Sequence, residues 1–162
     1  MPDNNQEWYV AERSRAMLIV HLTRRDDLIL SEGAKETGLD YLVKIKRDNE
    51  VLSVRQFGLF LRASVKPLSL PQLNKVLRSQ VRSLLRGKNF TYPVCLLYFT
   101  MQDNQGYYTW MMEPVLTEDG KPQLRRHSDA SCVQLDHAAL DKIVSQVNAW
   151  YDAFFSSIII SA

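Results

Sequence analysis

The chain has 162 residues, of which 46% are hydrophobic and 23% charged, and its formal net charge is +2. These values are ordinary for one globular domain spanning residues 1–162. No apolar run approaches the ~20 residues of a membrane span, and the first residues lack the basic and apolar regions of a signal peptide, so we expect a soluble, cytoplasmic protein with no membrane partner.

The first predicted element is a helix over residues 6–23, in which apolar side chains recur at steps of three and four residues. A short strand at 28–30 follows, and residues 31–37 form a polar loop. Two extended segments, 39–46 and 54–65, then form a hairpin around a polar turn at 47–50.

The second strand of this hairpin has two distinct rows of side chains, because residues alternate between the faces of a sheet. One row is nearly all apolar: Arg55, Phe57, Leu59, Leu61, Ala63 and Val65. The other row is mixed: Gln56, Gly58, Phe60, Arg62 and Ser64. The mixed row is the candidate functional face.

A second helix is predicted over residues 69–87, with Ser69 as its cap, Pro71 in its first turn and Gly87 at its exit. Its expected buried stripe is Leu70, Leu73, Leu77, Val81 and Leu84. Another face carries a basic row of Lys75, Arg78, Arg82 and Arg86. Like charges at this spacing oppose one another by a few tenths of a kcal/mol per pair. The row is therefore either a solvated face or a phosphate-binding face.

The basic row lies in a strongly basic part of the chain. No acidic residue occurs between Glu50 and Asp103, although the flanking segments bring the net charge close to zero. Segregation of charge on this scale indicates an anionic partner.

The remaining elements are predicted to be mostly strands. Residues 91–100 form a continuous apolar run typical of a central strand, and 107–112 form the next strand, which ends at Glu113 and Pro114. Residues 125–127 are a loop or a short strand, and Asp136 caps a final helix. The apolar end of the chain, with a tail at 156–162, either completes the core, pairs as an edge strand or docks on another subunit.

Two stretches resemble the core of the PD-(D/E)XK nucleases. Gly38-Leu39-Asp40 opens one strand, and Phe57-Gly58-Leu59-Phe60-Leu61-Arg62-Ala63-Ser64 lies on the next. The resemblance is closest to a bacterial domain-of-unknown-function family within that superfamily and covers about residues 7–152. It implies an α/β (α+β) fold, namely a restriction-endonuclease-like three-layer sandwich with a mixed central sheet flanked by helices, in the order αβββαββα.

The resemblance also implies a degenerate active site. It assigns metal binding to Asp40 and, on the first helix, to Glu12, for which a solvated surface charge is the other interpretation. Where the family has Glu or Gln this chain has Phe60, and where the family has Lys it has Arg62. Phenylalanine offers no oxygen to Mg²⁺, and a guanidinium stays protonated and cannot act as a base.

Three functions remain open from the sequence. The first is a catalytically impaired nuclease-like protein that binds DNA or RNA, or serves a multiprotein nucleic-acid system, with Arg62 and the basic row contacting phosphates. The second is an active Mg²⁺-dependent nuclease that uses Asp40, Glu12 and a relocated lysine, Lys44. The third is a protein-interaction or homo-oligomeric scaffold that uses the basic helix or the apolar tail, with Asp40 as a turn residue.

Overall fold

The computed structural model describes residues 4–48, 54–127 and 131–161, with side chains described from Trp8 to Ile158 within those ranges. These residues form an α+β domain. Its elements, in chain order, are α1 (Asn4–Leu22), β1 (Leu28–Glu32), β2 (Tyr41–Ile45), β3 (Arg55–Ser64), α2 (Leu70–Leu85), β4 (Val94–Thr100), β5 (Gln105–Leu116), β6 (Pro122–Arg126), β7 (Val133–Gln134) and α3 (His137–Ser161).

The strands form one mixed sheet in the order β1-β2-β3-β4-β5-β6, and β7 pairs with β5. Neighbours are antiparallel except β3 and β4, which are parallel. Parallel strands need a crossover connection, and α2 supplies it. The predicted mixed sheet is thus confirmed, and the chain adds β6 and β7 before its last helix. Part of the turn predicted at 47–50 lies outside the described residues.

Helices cover both faces of the sheet. Phe57 and Leu59 of β3 belong to a hydrophobic cluster with α1 and α3, whereas Phe60 belongs to a second cluster under α2. The alternation of side chains along β3 therefore divides the core into two halves, one on each side of the sheet. Helices on both faces give the predicted three layers.

Helix α2 begins with the predicted cap. The Ser69 hydroxyl accepts the Gln72 N–H, and the Gln72 side chain accepts the Ser69 N–H, which makes a capping box. The buried stripe is Leu73, Leu77, Val81 and Leu85, in steps of four residues. The sequence interpretation was wrong at both ends of this stripe. Leu70 is 60% exposed, whereas Leu68 before the helix packs against the cluster, and Leu84 is only partly buried.

Strand β5 continues past Pro114 to Leu116, although the sequence predicted that it ends at Glu113 and Pro114. Strand β4 pairs with β5 only as far as Met112, and beyond that point β6 is the neighbour. Beyond Met112, β5 has a neighbour on one side only among the described strands, so every second residue points its backbone N–H away from β6. Pro114 lies at such a position, and its missing N–H removes no hydrogen bond between strands. The partner strand β6 contains residues that the sequence assigned to a loop or short strand.

Helix α3 is capped as predicted, since the Ala139 N–H donates to the Asp136 carboxylate over 2.7 Å. The helix then runs to Ser161, so the alternative of an edge strand at the apolar end is wrong for residues up to 161. Phe154 and Ile158 are exposed. Residue 162 and the side chains after Ile158 lie outside the described residues, and docking through the tail stays a prediction. Each helix of the described chain is too short or too polar to cross a membrane.

One arginine joins β6 to the end of α2. Arg126 donates from Nη2 to the Leu85 carbonyl over 2.7 Å and from Nη1 to the Lys88 carbonyl over 3.2 Å. Carbonyl groups in the last turn of a helix lack intrahelical partners, and a basic side chain there satisfies them. The edge of the sheet therefore holds the exit of α2.

Candidate functional site

Asp40 lies directly before β2, where backbone hydrogen bonds hold it on both sides. Its N–H donates to the Leu59 carbonyl over 3.1 Å, and its carbonyl accepts the Gly33 N–H over 3.1 Å. Its carboxylate oxygen Oδ2 accepts the Leu61 N–H over 2.8 Å. The side chain thus substitutes for a carbonyl in the β2–β3 ladder, which orients the carboxylate along the end of the sheet.

Arg62 forms an ion pair with this carboxylate. Its Nη1 lies 2.9 Å from Asp40 Oδ2 and also donates to the Leu61 carbonyl over 2.7 Å. The two side chains are 34% and 37% exposed, so water screens the pair in part. The predicted juxtaposition of Asp40 and Arg62 across adjacent strands is confirmed. Oδ2 now has two donors, whereas Oδ1 accepts no hydrogen bond from the described residues.

The ion pair lies in a cleft of about 690 Å³ between α1 and the end of the sheet. Its apolar floor comes from α1, from β3 and from the residue that follows β3, and includes Val10, Leu61, Ala63 and Val65. Its polar groups are Ser14, Glu32, Asp40, Tyr41, Arg62 and Ser64. A cleft of this size that combines apolar walls with several convergent polar groups has the features of a binding site.

Phe60 occupies the position of the family's second acid but lies outside the cleft. It is 0% exposed, belongs to the cluster under α2, and makes an edge contact with Phe90 at a centroid distance of 6.3 Å. Its ring therefore packs in the core on the far side of β3. A ligand oxygen at this position would be buried rather than exposed to a metal in the cleft.

Two cations flank the Phe60 ring. The Arg62 guanidinium carbon lies 6.0 Å from the ring centroid, and Lys88 Nζ lies 5.8 Å from it. Lys88 also donates to the Thr37 carbonyl over 2.8 Å, so it holds the loop that leads into Asp40. The sequence shows Lys88 as one charge of the basic segment. Its place at the site depends on the packing of the α2 exit against a loop far away in the chain.

The two other predicted catalytic or metal-binding residues do not line the cleft that contains the ion pair. Glu12 is exposed on α1 and does not line the cleft. Lys44 is exposed on β2, four residues after Asp40, a separation of about 13 Å along a strand. The structure does not bring Lys44 to Asp40, and the catalytic roles of both residues stay predictions.

The pKa of Tyr41 reflects the charged groups around the α1 side of the cleft. Burial raises the pKa of Tyr41, Arg15 opposes that rise, and the carboxylates of Asp40, Glu32 and Glu12 add to it. The sequence placed Glu32 in a polar loop, but it is the last residue of β1 and lines the cleft. Among the described residues, no three histidine, cysteine or acidic side chains are grouped to hold a metal ion.

The basic row of α2 lies on the opposite side of the sheet from α1 and α3. Lys75, Arg78, Arg82 and Arg86 are all exposed and line a shallow groove of about 500 Å³ together with Ser79 and Ser83. Arg86 follows the last residue of the helix, and Lys88 comes two residues later. The row therefore ends beside the loop that carries Asp40.

This arrangement can bind anions more readily than it can hold a divalent metal. Lys88 and the basic row supply cationic groups, whereas the charges of Asp40 and Arg62 offset each other in an ion pair. Comparison of this chain with family models, with curated proteins and with solved structures finds no match.

Proposed function

We propose that this protein is a nuclease-like protein with an impaired catalytic centre that binds DNA or RNA. The observation that carries the proposal is the 2.9 Å ion pair between Arg62 and Asp40 at the start of β2. The three-layer arrangement, with a mixed sheet between α2 and the pair α1 and α3, supports a restriction-endonuclease-like fold. Asp40 and Arg62 are the residues that the motif resemblance singles out, and their contact supports the proposal.

The carboxylate of Asp40, paired as it is with Arg62, fits Mg²⁺ poorly. Mg²⁺ requires oxygen ligands in near-octahedral geometry, and proteins usually supply one or two carboxylates. Here Oδ2 of Asp40 has two N–H donors, one of them cationic, and Phe60 is buried under α2. A metal at Oδ2 would have to displace the guanidinium. Arg62 cannot replace the motif lysine as a base, because a guanidinium does not deprotonate in proteins.

The basic row offers the surface for the nucleic acid. Its four exposed cations spread over about three turns of α2 and its exit, within a part of the sequence that has no acidic residue between Glu50 and Asp103. Beyond Arg86, Lys88 extends the positive charge toward Phe60, and on the other side of that ring lies Arg62, which a phosphate could contact in competition with Asp40. Contacts of this kind bind phosphates largely without regard to base sequence.

Fluorescence anisotropy with labelled single- and double-stranded oligonucleotides tests the binding. The double variant Lys75→Glu/Arg86→Glu reverses two exposed charges of the row. Its dissociation constant should rise at least tenfold at low salt, and the slope of log K against log salt should fall in magnitude by about 2. The matched control Lys121→Glu/Lys142→Glu reverses two exposed charges on other elements. A wild-type affinity that is flat between 50 and 200 mM salt would overturn the proposal.

Cleavage is tested separately with plasmid and single-stranded substrates in the presence of Mg²⁺ or Mn²⁺. We expect neither the wild type nor Asp40→Ala to produce nicked or linear products. Cleavage by the wild type that Asp40→Ala abolishes, with an unchanged fold by circular dichroism, would contradict an impaired centre. The binding result would stand in either case.

An active Mg²⁺-dependent nuclease is the second candidate function, and one observation favours it. Glu32 lines the same cleft as Asp40, so two carboxylates are available there, with Glu32 in the role that the sequence analysis gave to Glu12. Two carboxylates together with water and a substrate phosphate are enough for Mg²⁺. In this case Glu32→Gln should abolish cleavage as completely as Asp40→Ala, while Lys44→Ala should have little effect.

A further inference from the structure

Helix α1 has apolar side chains on both of its faces. Leu18 and Leu22 are buried against the sheet, whereas Trp8 is 69% exposed and Ile19 is 40% exposed. Tyr9 and Val20 of the same helix are exposed as well. A helix on the surface of a globular protein normally has a polar outer face. Large apolar side chains gathered on that face indicate contact with another molecule.

Four exposed residues of this outer face form one stripe. Trp8, Glu12, Arg15 and Ile19 follow one another at steps of four, three and four residues. At 100° per residue they lie within about 60° of one another around the helix, and the steps are those of a helix–helix seam. Neither Glu12 nor Arg15 forms an ion pair with a described residue.

The order of the stripe is apolar, acidic, basic, apolar, which is complementary to its own reverse. We propose that a second copy of this chain docks on the stripe, with the two α1 helices antiparallel about a two-fold axis. The axis passes between Glu12 and Arg15. It places Trp8 against Ile19 of the partner subunit and Glu12 against Arg15 of the partner subunit.

The charges of Glu12 and Arg15 favour a second copy of the chain as the partner and an antiparallel orientation of the two helices. A parallel pairing would place equal charges opposite each other, which is unfavourable, whereas the antiparallel pairing forms two equivalent ion pairs. Ala11 and Ala16 flank the stripe, are exposed and exchange places under the same axis, so the helices can approach closely. The contact from Trp8 to Ile19 is about 17 Å long. An interface of this size gives a dimer that dissociates on dilution.

Sedimentation velocity over about 10–500 µM protein tests the pairing through charge reversal. The wild type should shift from monomer to dimer across this range. Glu12→Arg and Arg15→Glu each place like charges opposite each other and should raise the dissociation constant at least tenfold. The double variant Glu12→Arg/Arg15→Glu restores opposite charges and should dimerise within about threefold of the wild type.

Mixing the two single variants gives a further test, because the stripe of Glu12→Arg then carries two positive charges and the stripe of Arg15→Glu two negative charges. An equimolar mixture should therefore form heterodimers where each variant alone is monomeric. The matched controls Glu118→Arg and Lys121→Glu reverse exposed charges in the β5–β6 turn and should leave the dissociation constant unchanged. Circular dichroism verifies that every variant is folded.

Trp8 provides an independent measurement, because the two other tryptophans, Trp110 and Trp150, are buried. Acrylamide quenching of Trp8 should decrease as the protein concentration rises, and it should not decrease in either single variant. A wild type that stays monomeric at 500 µM overturns the proposal. So does a dimer that survives both single reversals, since its interface then lies elsewhere, for example at the exposed end of α3.

Discussion

The Arg62 guanidinium lies 2.9 Å from the Asp40 carboxylate, and both side chains line the cleft beside α1. The pair joins the start of β2 to the second half of β3, next to the Leu61 N–H that the same carboxylate accepts. A positive group thus lies beside the carboxylate that the sequence analysis assigned to metal binding. If the proposed function holds, this one side chain decides whether Asp40 can accept a metal ion.

Removal of that side chain should create a weak metal site. In Arg62→Ala, the carboxylates of Asp40 and Glu32 remain in the cleft without a neutralising guanidinium. We expect Mn²⁺ to bind with a dissociation constant of about 1 mM, as at other sites with few carboxylates, and the wild type to show no binding in that range. Isothermal titration calorimetry measures both. The double variant Asp40→Ala/Arg62→Ala is the control and should lose the site.

Replacement of Phe60 by the acid of the family motif should unfold the protein or nearly so. Phe60→Glu would place a carboxylate in the fully buried cluster under α2, beside Phe90. We expect the free energy of unfolding to fall by about 4 kcal/mol or more, as measured by urea denaturation. Phe60→Leu keeps the site apolar and should cost about 1–2 kcal/mol. A stable Phe60→Glu variant would show that this position can face the cleft.

The stability of the loop before Asp40 should depend on Gly38, because a larger residue there would collide with Lys88. Gly38 has φ +72°, and a Cβ there would contact Lys88 Nζ. Gly38→Ala should therefore cost about 1–2 kcal/mol for the left-handed backbone, plus the displacement of Lys88 from the Thr37 carbonyl. In a Lys88→Ala background the second cost disappears. A double-mutant cycle of urea denaturation measures the difference, and equal costs in both backgrounds would contradict the contact.

Stability should decrease in mildly acidic solution because of His21. Its ring stacks on Phe99, and burial, then Arg24 and His137, lower the pKa of His21 below the ordinary value of 6.5. The unfolded chain therefore binds this proton more readily than the folded one. The contribution to stability is complete above pH 6.5 and is lost as the pH falls from 6.5 toward the lowered pKa.

The variant His21→Gln removes this titration. Its free energy of unfolding should change less between pH 7.5 and pH 5.5 than that of the wild type, as measured by urea denaturation at each pH. Every other titratable group is the same in the two proteins, so the difference between the two profiles reports His21. Parallel profiles would mean that His21 protonates equally well in the folded and unfolded states.

Local patterns predicted the elements that carry the site. Ser69 with Gln72 marks the start of α2, Asp136 marks the start of α3, and alternation along residues 54–65 marks the two faces of β3. These signals depend on neighbours in the chain, so the sequence alone contains them. The contact between Asp40 and Arg62 could also be predicted from the sequence, because β2 and β3 form a hairpin and its register decides which residues lie opposite each other.

Contacts between distant segments were not predictable in this way. Lys88 reaches Thr37 only because α2 crosses the sheet and its exit packs beside the Asp40 loop. Glu32 joins the cleft because β1 extends two residues further than its apolar pattern suggests. Strand β6 was hidden by its composition, since Pro122, Arg125 and Arg126 are unusual in a strand and are tolerated here at the edge of the sheet.

The two hydrogen bonds from Arg126 to the carbonyls of Leu85 and Lys88 connect the edge strand β6 to the end of α2. A fragment that stopped after β5 would still contain every residue of the motif and of the basic row. It would lack the two hydrogen bonds by which Arg126 holds the C-terminal end of α2, where the basic row ends. A strand near the end of the chain therefore helps to position the basic row, whose residues lie some forty residues earlier.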